Sequence, residues 1–288
     1  MISYPYGIGD VGIRVIEEGS GDRVALLLHG VGARADRWRH NVGALAAAGL
    51  HVYAIDLPGH GFSAKGDFDY SVDGYASLAL RFLDSVGAAR CVLVGTSLGG
   101  HIQAAVTCRD PARVTALILV GTLGITPLGE QGRQAVANSL LDASAQGVRA
   151  KLTRVIHDPA LVTEDWIREE SLINSSPGAS AAFGSLAEYF RSGIDDDTVG
   201  ERLAGLTEPP PTLLVWGADD LIVPPAIGHQ SRQILGEGVP LAMIPAAGHA
   251  PYLERPELFN DAVLAFLREK GLTAGALRAG TTTLEEAR

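Results

Sequence analysis

A serine held in a tight turn between glycines is one of the few hydroxyls that a fold can turn into a nucleophile. Gly95-Thr96-Ser97-Leu98-Gly99 has that form, directly after the apolar run Cys91–Val94 and directly before a helical pattern. The order strand, sharp turn, helix is the context the motif requires. The turn strains the serine backbone, so residues without side chains are needed at Gly95 and Gly99, and Gly100 extends the small surface along the helix. It exposes the hydroxyl at the carboxyl end of the strand, where the helix N-terminus favours developing negative charge.

A serine hydroxyl becomes reactive only when a base takes its proton, and the base needs an orienting acid. In chain order the acid and then the histidine are expected after the serine. Of eight histidines, only His157, His229 and His249 lie beyond residue 125. His249, in Ala246-Ala247-Gly248-His249, follows the strand-like run Leu241–Ile244 and precedes Pro251, so it sits on a loop at a strand's carboxyl end. His229 falls in a helical pattern and His157 among other helices, which makes His249 the expected base. For the acid, Thr212–Trp216 runs into Gly217-Ala218-Asp219-Asp220-Leu221-Ile222-Val223-Pro224. Two adjacent aspartates compete there, and the pattern W-G-x-x-D-x-x-V-P favours Asp220 over Asp219. An oxyanion needs two backbone N–H donors. Leu98 supplies one, and Val31, in His29-Gly30-Val31-Gly32, is expected to supply the other. His29 reads as a loop-bracing residue, and His60, within Asp56-Leu57-Pro58-Gly59-His60-Gly61-Phe62-Ser63, as part of a structural turn.

These residues need a frame. Short runs rich in Leu and β-branched residues (Val24–His29, Val52–Asp56, Cys91–Gly95, Ala116–Val120, Thr212–Trp216, Leu241–Ile244) alternate with helical patterns, and they lack polar alternation. That predicts a parallel sheet covered on both faces. Gly12–Glu18 alternates, and with the turn at Gly19–Asp22 it predicts an antiparallel hairpin leading into the sheet. From 125 to 206 the rhythm changes: apolar residues recur at helical spacing, Asp158-Pro159 and Pro177-Gly178 punctuate the run, and Pro209-Pro210-Pro211 leads back to the sheet. The expected division is a core of 1–124 and 207–271, a helical lid of 125–206, and a frayed tail of 272–288. The length of 288 residues, which alone suggests two domains, is then one core plus an insertion. The Ser/Gly/Ala-rich stretch Ser171–Ala187 points to close helix packing or a mobile lid.

Composition narrows the partners. With Lys+Arg 23 against Asp+Glu 33 and a net charge of −10, a phosphate backbone is repelled and nucleic acid is excluded as a partner. No apolar run approaches the ~18 residues of a bilayer span, and Met1–Asp10 carries no secretory pattern. Cys91 and Cys108 are too few for a disulfide framework and fit a reduced, cytoplasmic setting. No histidine or carboxylate cluster has metal-ligand spacing, so a metal is not expected; no other cofactor is expected either. Gly7-Ile8-Gly9-Asp10-Val11-Gly12 spells G-x-G-x-x-G, yet it leads into strand-like sequence and is not read as a dinucleotide site.

The segments HG-V-G, D-L-P-G-H-G-F-S, G-T-S-L-G-G, W-G-A-D-D and G-H, in that order from about residue 12 to 270, resemble the α/β-hydrolase family. The resemblance implies an eight-stranded, mostly parallel sheet with helices on both faces and a helical cap inserted after the sixth strand. Ser97 sets the chain apart from that family's haloalkane dehalogenases and epoxide hydrolases, which use aspartate there. The segment Val155–Glu164 resembles the cap of meta-cleavage-product hydrolases, which split a carbon–carbon bond in a dienoate. Two departures follow: that group places Trp after the catalytic histidine where this chain has Ala250, and it uses a cap arginine where this chain has Glu170 or its neighbour, Arg168 being out of register. The expected activity is therefore hydrolysis of a carboxylic ester or lactone of a small organic substrate through an acyl-enzyme. Carbon–carbon hydrolysis, a non-hydrolytic lyase and a ligand receptor on the same fold are the alternatives. Trp38, His101 and Trp166 are the candidate pocket residues, and the oligomeric state is left open.

Overall fold

The computed structural model describes residues 1–274. Its chain order is β1 (Ile2–Ile8), β2 (Val11–Glu18), β3 (Val24–Leu28), α1 (Val42–Ala47), β4 (His51–Ile55), α2 (Val72–Ser85), β5 (Cys91–Thr96), α3 (Leu98–Arg109) and β6 (Val114–Val120). Helices α4 (Gly129–Leu141), α5 (Ala145–Val155), α6 (Glu164–Asn174), α7 (Ala179–Ser192) and α8 (Gly200–Ala204) follow. The chain then returns through β7 (Thr212–Gly217), α9 (Pro225–Leu235), β8 (Leu241–Ile244), α10 (Pro251–Glu254) and α11 (Pro256–Glu269).

The strands form one eight-stranded sheet in the order β1-β2-β4-β3-β5-β6-β7-β8. The β1–β2 and β2–β4 pairs are antiparallel and the pairs from β4 to β8 are parallel. The six runs read as buried strands are β3 to β8, with ends differing by one or two residues. Their uninterrupted apolar character has a direct cause: Leu26, Leu28, Leu93, Leu117 and Leu119 face a core shared with α2 and α3, while Ala25, Leu27, Val94 and Ile118 face one shared with α1 and α11. A strand buried on both faces has no position for a polar residue.

Two expectations about the chain ends are corrected. The hairpin partner of β2 is β1, which was not anticipated, and the turn is Gly9-Asp10, where Gly9 takes φ 63°. The turn at Gly19–Asp22 instead leads β2 out to β3, with β4 lying between the two strands. The glycines of the G-x-G-x-x-G decoy thus belong to a hairpin. At the other end, residues 272–274 are not frayed: Leu272 N–H donates to Leu267 O at 2.9 Å and Ala274 N–H to Ala48 O at 2.7 Å. The rest of the expected tail, 275–288, lies outside the described residues.

Between β6 and β7 the chain is helical, as the 3.6-residue spacing predicted. Helix α7 buries Phe183, Leu186 and Phe190 in the larger core, whereas Val148, Leu152 and Ile167 of α5 and α6 form a small cluster of their own. Helix α8 packs against α3 and α9, and Val199 and Leu203 join the same larger core as α7.

Candidate active site

Ser97 sits between β5 and α3 with φ 54° and ψ −121°, a conformation that L residues rarely adopt. The flanking glycines permit it. A Cβ on Gly95 would lie 2.3 Å from Gly99 O, and one on Gly99 would lie 2.4 Å from Leu28 O and 2.5 Å from His29 O. The β3 loop also approaches closely, since a Cβ on Gly30 would come within 3.0 Å of Ser97 Cβ. Val31, with its neighbours Gly30 and Gly32, lines the same cavity as Ser97. Leu98 is fully buried as the first residue of α3, so its N–H opens the helix beside Ser97.

That loop is braced from below. His29 Nε2 accepts the Leu57 N–H at 2.9 Å, which leaves Nδ1 as the donor to Gly30 O at 2.8 Å. Burial lowers the His29 pKa, consistent with a neutral ring. The buried Asp56 carboxylate accepts from Ala35 N at 2.6 Å and Phe62 N at 2.8 Å, tying the D-L-P-G-H-G-F-S turn to the segment after the loop. His60 packs edge-on against His29 and Phe183.

At the far ends of β7 and β8, Asp220 Oδ2 lies 2.7 Å from His249 Nδ1. The other oxygen of Asp220 accepts the N–H groups of Ile222 at 2.8 Å and Val223 at 2.9 Å, so the carboxylate is fixed from both sides. Its side chain has no exposure, whereas that of Asp219 is 45% exposed and stands 3.9 Å from His157. The backbone N–H of His249 donates to Val155 O at 2.8 Å. Glu254 receives Gly248 N at 2.8 Å on one oxygen and His157 N at 2.7 Å on the other. The histidine loop is thereby fastened to the end of α5. Ser97 and His249 both line the cavity between the sheet ends and the helices above them.

The three candidate pocket residues separate. Trp166 lines the cavity, its indole N–H reaching Glu170 Oε2 at 3.3 Å with the Arg37 guanidinium 4.1 Å above its ring. Trp38 does not border it: the ring is fully buried, stacked 4.1 Å from Tyr252, which lines the wall along with Trp166. His101 also lies outside. It is fully buried, reaches Asp197 O at 2.8 Å through Nε2, and burial pushes its pKa down to about 4. Its ring fills the space beside Gly124, where a Cβ would meet it at 2.1 Å.

Arg37, Lys151, Glu170 and Tyr252 belong to the wall as well, and of these only Glu170 had drawn notice in the sequence. Glu170 is 2% exposed and bonded to both Arg37 and Lys151. Burial opposes its ionisation, but Arg37, Lys151 and Arg34 outweigh that and hold its pKa at about 2. Glu170 is therefore a buried, paired anion. Among the described residues no group of three or more His, Cys, Asp or Glu side chains could hold a metal ion, and no helix is long and apolar enough to cross a membrane.

Comparison with known proteins places this geometry. The chain is 32% identical over 252 residues to the dihydrolipoyllysine-residue acetyltransferase component of an acetoin cleaving system of Pseudomonas putida, covering 87% of this chain and 65% of that protein. It thus spans less than two-thirds of that relative's length. It is 30% identical over 266 residues to a 2-hydroxy-6-oxononadienedioate/2-hydroxy-6-oxononatrienedioate hydrolase of Burkholderia vietnamiensis strain G4, covering 88% of this chain and 89% of that one. Among solved structures, a bacterial membrane phospholipase A matches with TM-score 0.81 at 27% identity, over 94% of this chain and 86% of that one. A meta-cleavage product hydrolase from Pseudomonas fluorescens IP01 matches with TM-score 0.80 at 25% identity, over 90% and 95%. Residues 25–262 match the alpha/beta hydrolase family, and with the eight-stranded sheet and the Ser97 turn in place the chain belongs to that family and is a hydrolase.

Proposed function

We propose that the protein hydrolyses a carboxylic ester or lactone of a small organic substrate through an acyl-enzyme, with Ser97 as nucleophile, His249 as base and Asp220 as orienting acid. The observation that carries this reading is the 2.7 Å His249–Asp220 bond, set on a cavity that Ser97 shares. Asp220 keeps the proton on Nδ1 of His249 and leaves Nε2 as the acceptor. Ser97 Oγ attacks the substrate carbonyl carbon as its proton passes to Nε2. The oxyanion is received by the N–H groups of Val31 and Leu98. Collapse expels the alcohol, which takes the proton from His249, and water then repeats the sequence on the acyl group. No cofactor or metal enters these steps.

In the same reading residues 1–124 and 207–271 are the catalytic core and 125–206 the lid. Trp166, Tyr252 and the lid side chains then select the substrate. Two unpaired cysteines, Cys91 buried and Cys108 half-buried, support a reduced compartment, the cytoplasm.

The test is Ser97→Ala beside the wild type, using a p-nitrophenyl acyl series, a lactone panel and labelling by a fluorophosphonate. Turnover and labelling should both vanish, and labelling at full rate in the variant would remove Ser97 from its role. A second reading, carbon–carbon bond hydrolysis of a vinylogous diketone by the same residues, is favoured by the relatives named as 2-hydroxy-6-oxononadienedioate hydrolases. A chromogenic dienoate offered in parallel decides between them, because rapid loss of the dienoate alone would reverse the order.

A further inference from the structure

We propose that Glu170 is a built-in carboxylate that occupies the cationic end of the cavity, so that the site takes neutral acyl groups and turns away those carrying a second carboxylate. This rests on the ester-hydrolase reading above.

Glu170 stands on α6, distant in sequence from the loop after β3, yet cations from two elements converge on it. Oε1 accepts from Lys151 Nζ of α5 at 2.7 Å. Oε2 is bonded to Arg37, accepts from the Trp166 indole at 3.3 Å, and has Arg34 Nη1 at 3.6 Å. Three basic side chains around one buried carboxylate would ordinarily describe a receptor for a substrate anion. Here the anion belongs to the protein.

The charges around it are already met. Arg34 is also paired with Asp36 at 2.7 Å and Glu169 at 2.5 Å. Lys151 donates a further bond to Gly32 O at 3.0 Å, and the Arg37 guanidinium lies 4.1 Å over the face of Trp166. A substrate carboxylate arriving here would stand beside the buried Glu170, and like charges so placed repel strongly. Arg154, which also borders the cavity, is an exposed residue, unlike the buried Arg37 and Glu170. Most of the remaining wall is apolar, with Leu128, Val136, Leu152, Val155, Ile222 and Leu253 among its residues. An uncharged acyl chain therefore meets matched surface from Ser97 outward, and a charged one does not.

The experiment compares p-nitrophenyl pentanoate with the p-nitrophenyl monoester of glutarate, which has the same chain length and one added carboxylate. Wild type should prefer the neutral ester by at least about 30-fold in kcat/KM, as a like-charge clash requires. Glu170→Gln keeps the side chain's shape and removes its charge, so the preference should fall to about threefold or invert. A wild-type ratio within about threefold, or an unchanged ratio in the variant, overturns the proposal. Binding without turnover supplies an independent arm: free glutarate should raise the melting temperature of Ser97→Ala/Glu170→Gln but not that of Ser97→Ala. Equal stabilisation of the two proteins overturns the proposal too. If wild type turns over neither ester, the ester-hydrolase reading fails, and the glutarate arm still decides the role of Glu170. Should Glu170→Gln not fold, the wild-type ratio and glutarate added to Ser97→Ala decide it.

Discussion

Replacing Asp220 by Asn tests the site with almost no change of shape. One oxygen of Asp220 accepts two backbone N–H groups, at 2.8 and 2.9 Å, and the other faces His249 Nδ1 at 2.7 Å. Asparagine has a single acceptor oxygen. To keep both backbone bonds it must point its amide NH2 at Nδ1, and Nδ1 then becomes an acceptor. The ring proton moves to Nε2, which no longer has a lone pair for the Ser97 hydroxyl. The flipped amide would restore the tautomer but set an NH2 against two N–H donors, forfeiting two buried bonds at roughly 1 kcal/mol or more each. The tautomer error is thus the lower-energy outcome. Its expected effect is a fall in kcat of about 10⁴-fold, the scale known for this substitution in serine triads, or about 5 kcal/mol in barrier. Stability should move by less than about 1 kcal/mol, because the loop bonds survive. Steady-state kinetics on a chromogenic ester, with a melting curve as control, measure both. Asp219→Asn, at a half-exposed position, should stay within about threefold of wild type. A loss below tenfold in Asp220→Asn, or an equal loss in Asp219→Asn, would refute the argument.

Three other outcomes are expected. Gly99→Ala drives a Cβ to 2.4 Å from Leu28 O, so the α3 start must move away from β3, lowering stability by about 1–3 kcal/mol and activity with it; an unshifted melting curve would show that the contact yields freely. Glu170, held at about pKa 2, stabilises the fold fully above its ordinary carboxyl range near 4.5 and loses that contribution as pH falls toward 2. The contribution is on the order of 3 kcal/mol, and Glu170→Gln should flatten the acid limb of melting temperature against pH; an identical limb in the variant would contradict the pairing. Trp38→Ala opens a cavity behind Tyr252 and should cost about 3–5 kcal/mol in chemical denaturation, whereas a variant as stable as wild type with a raised KM would return Trp38 to the pocket.

How much was legible follows from how local each feature is. The Ser97 turn is written in six consecutive residues, and the glycines needed for its backbone are themselves part of the motif. His249 and Asp220 were legible because both follow strand patterns of one parallel sheet, whose carboxyl ends must lie side by side. Trp38 and His101 misled for the same reason in reverse. Each is a chemistry-bearing residue near a motif, but Trp38 turns into the α11 side of the sheet and His101 toward the carbonyl of Asp197. Chain proximity says nothing about which side of an element a side chain leaves from.

By itself, then, the sequence determined the layered fold, the Ser97 turn and the histidine and aspartate loops, since local patterning and strand order suffice for these. Only the tertiary structure decided which aspartate is buried, which aromatic lines the wall, and that Arg37 and Lys151 meet Glu170. Burial and ion pairing arise from residues brought together across long stretches of chain. Arg37 and Glu170 are 133 positions apart, and no periodicity in either segment records the other's charge.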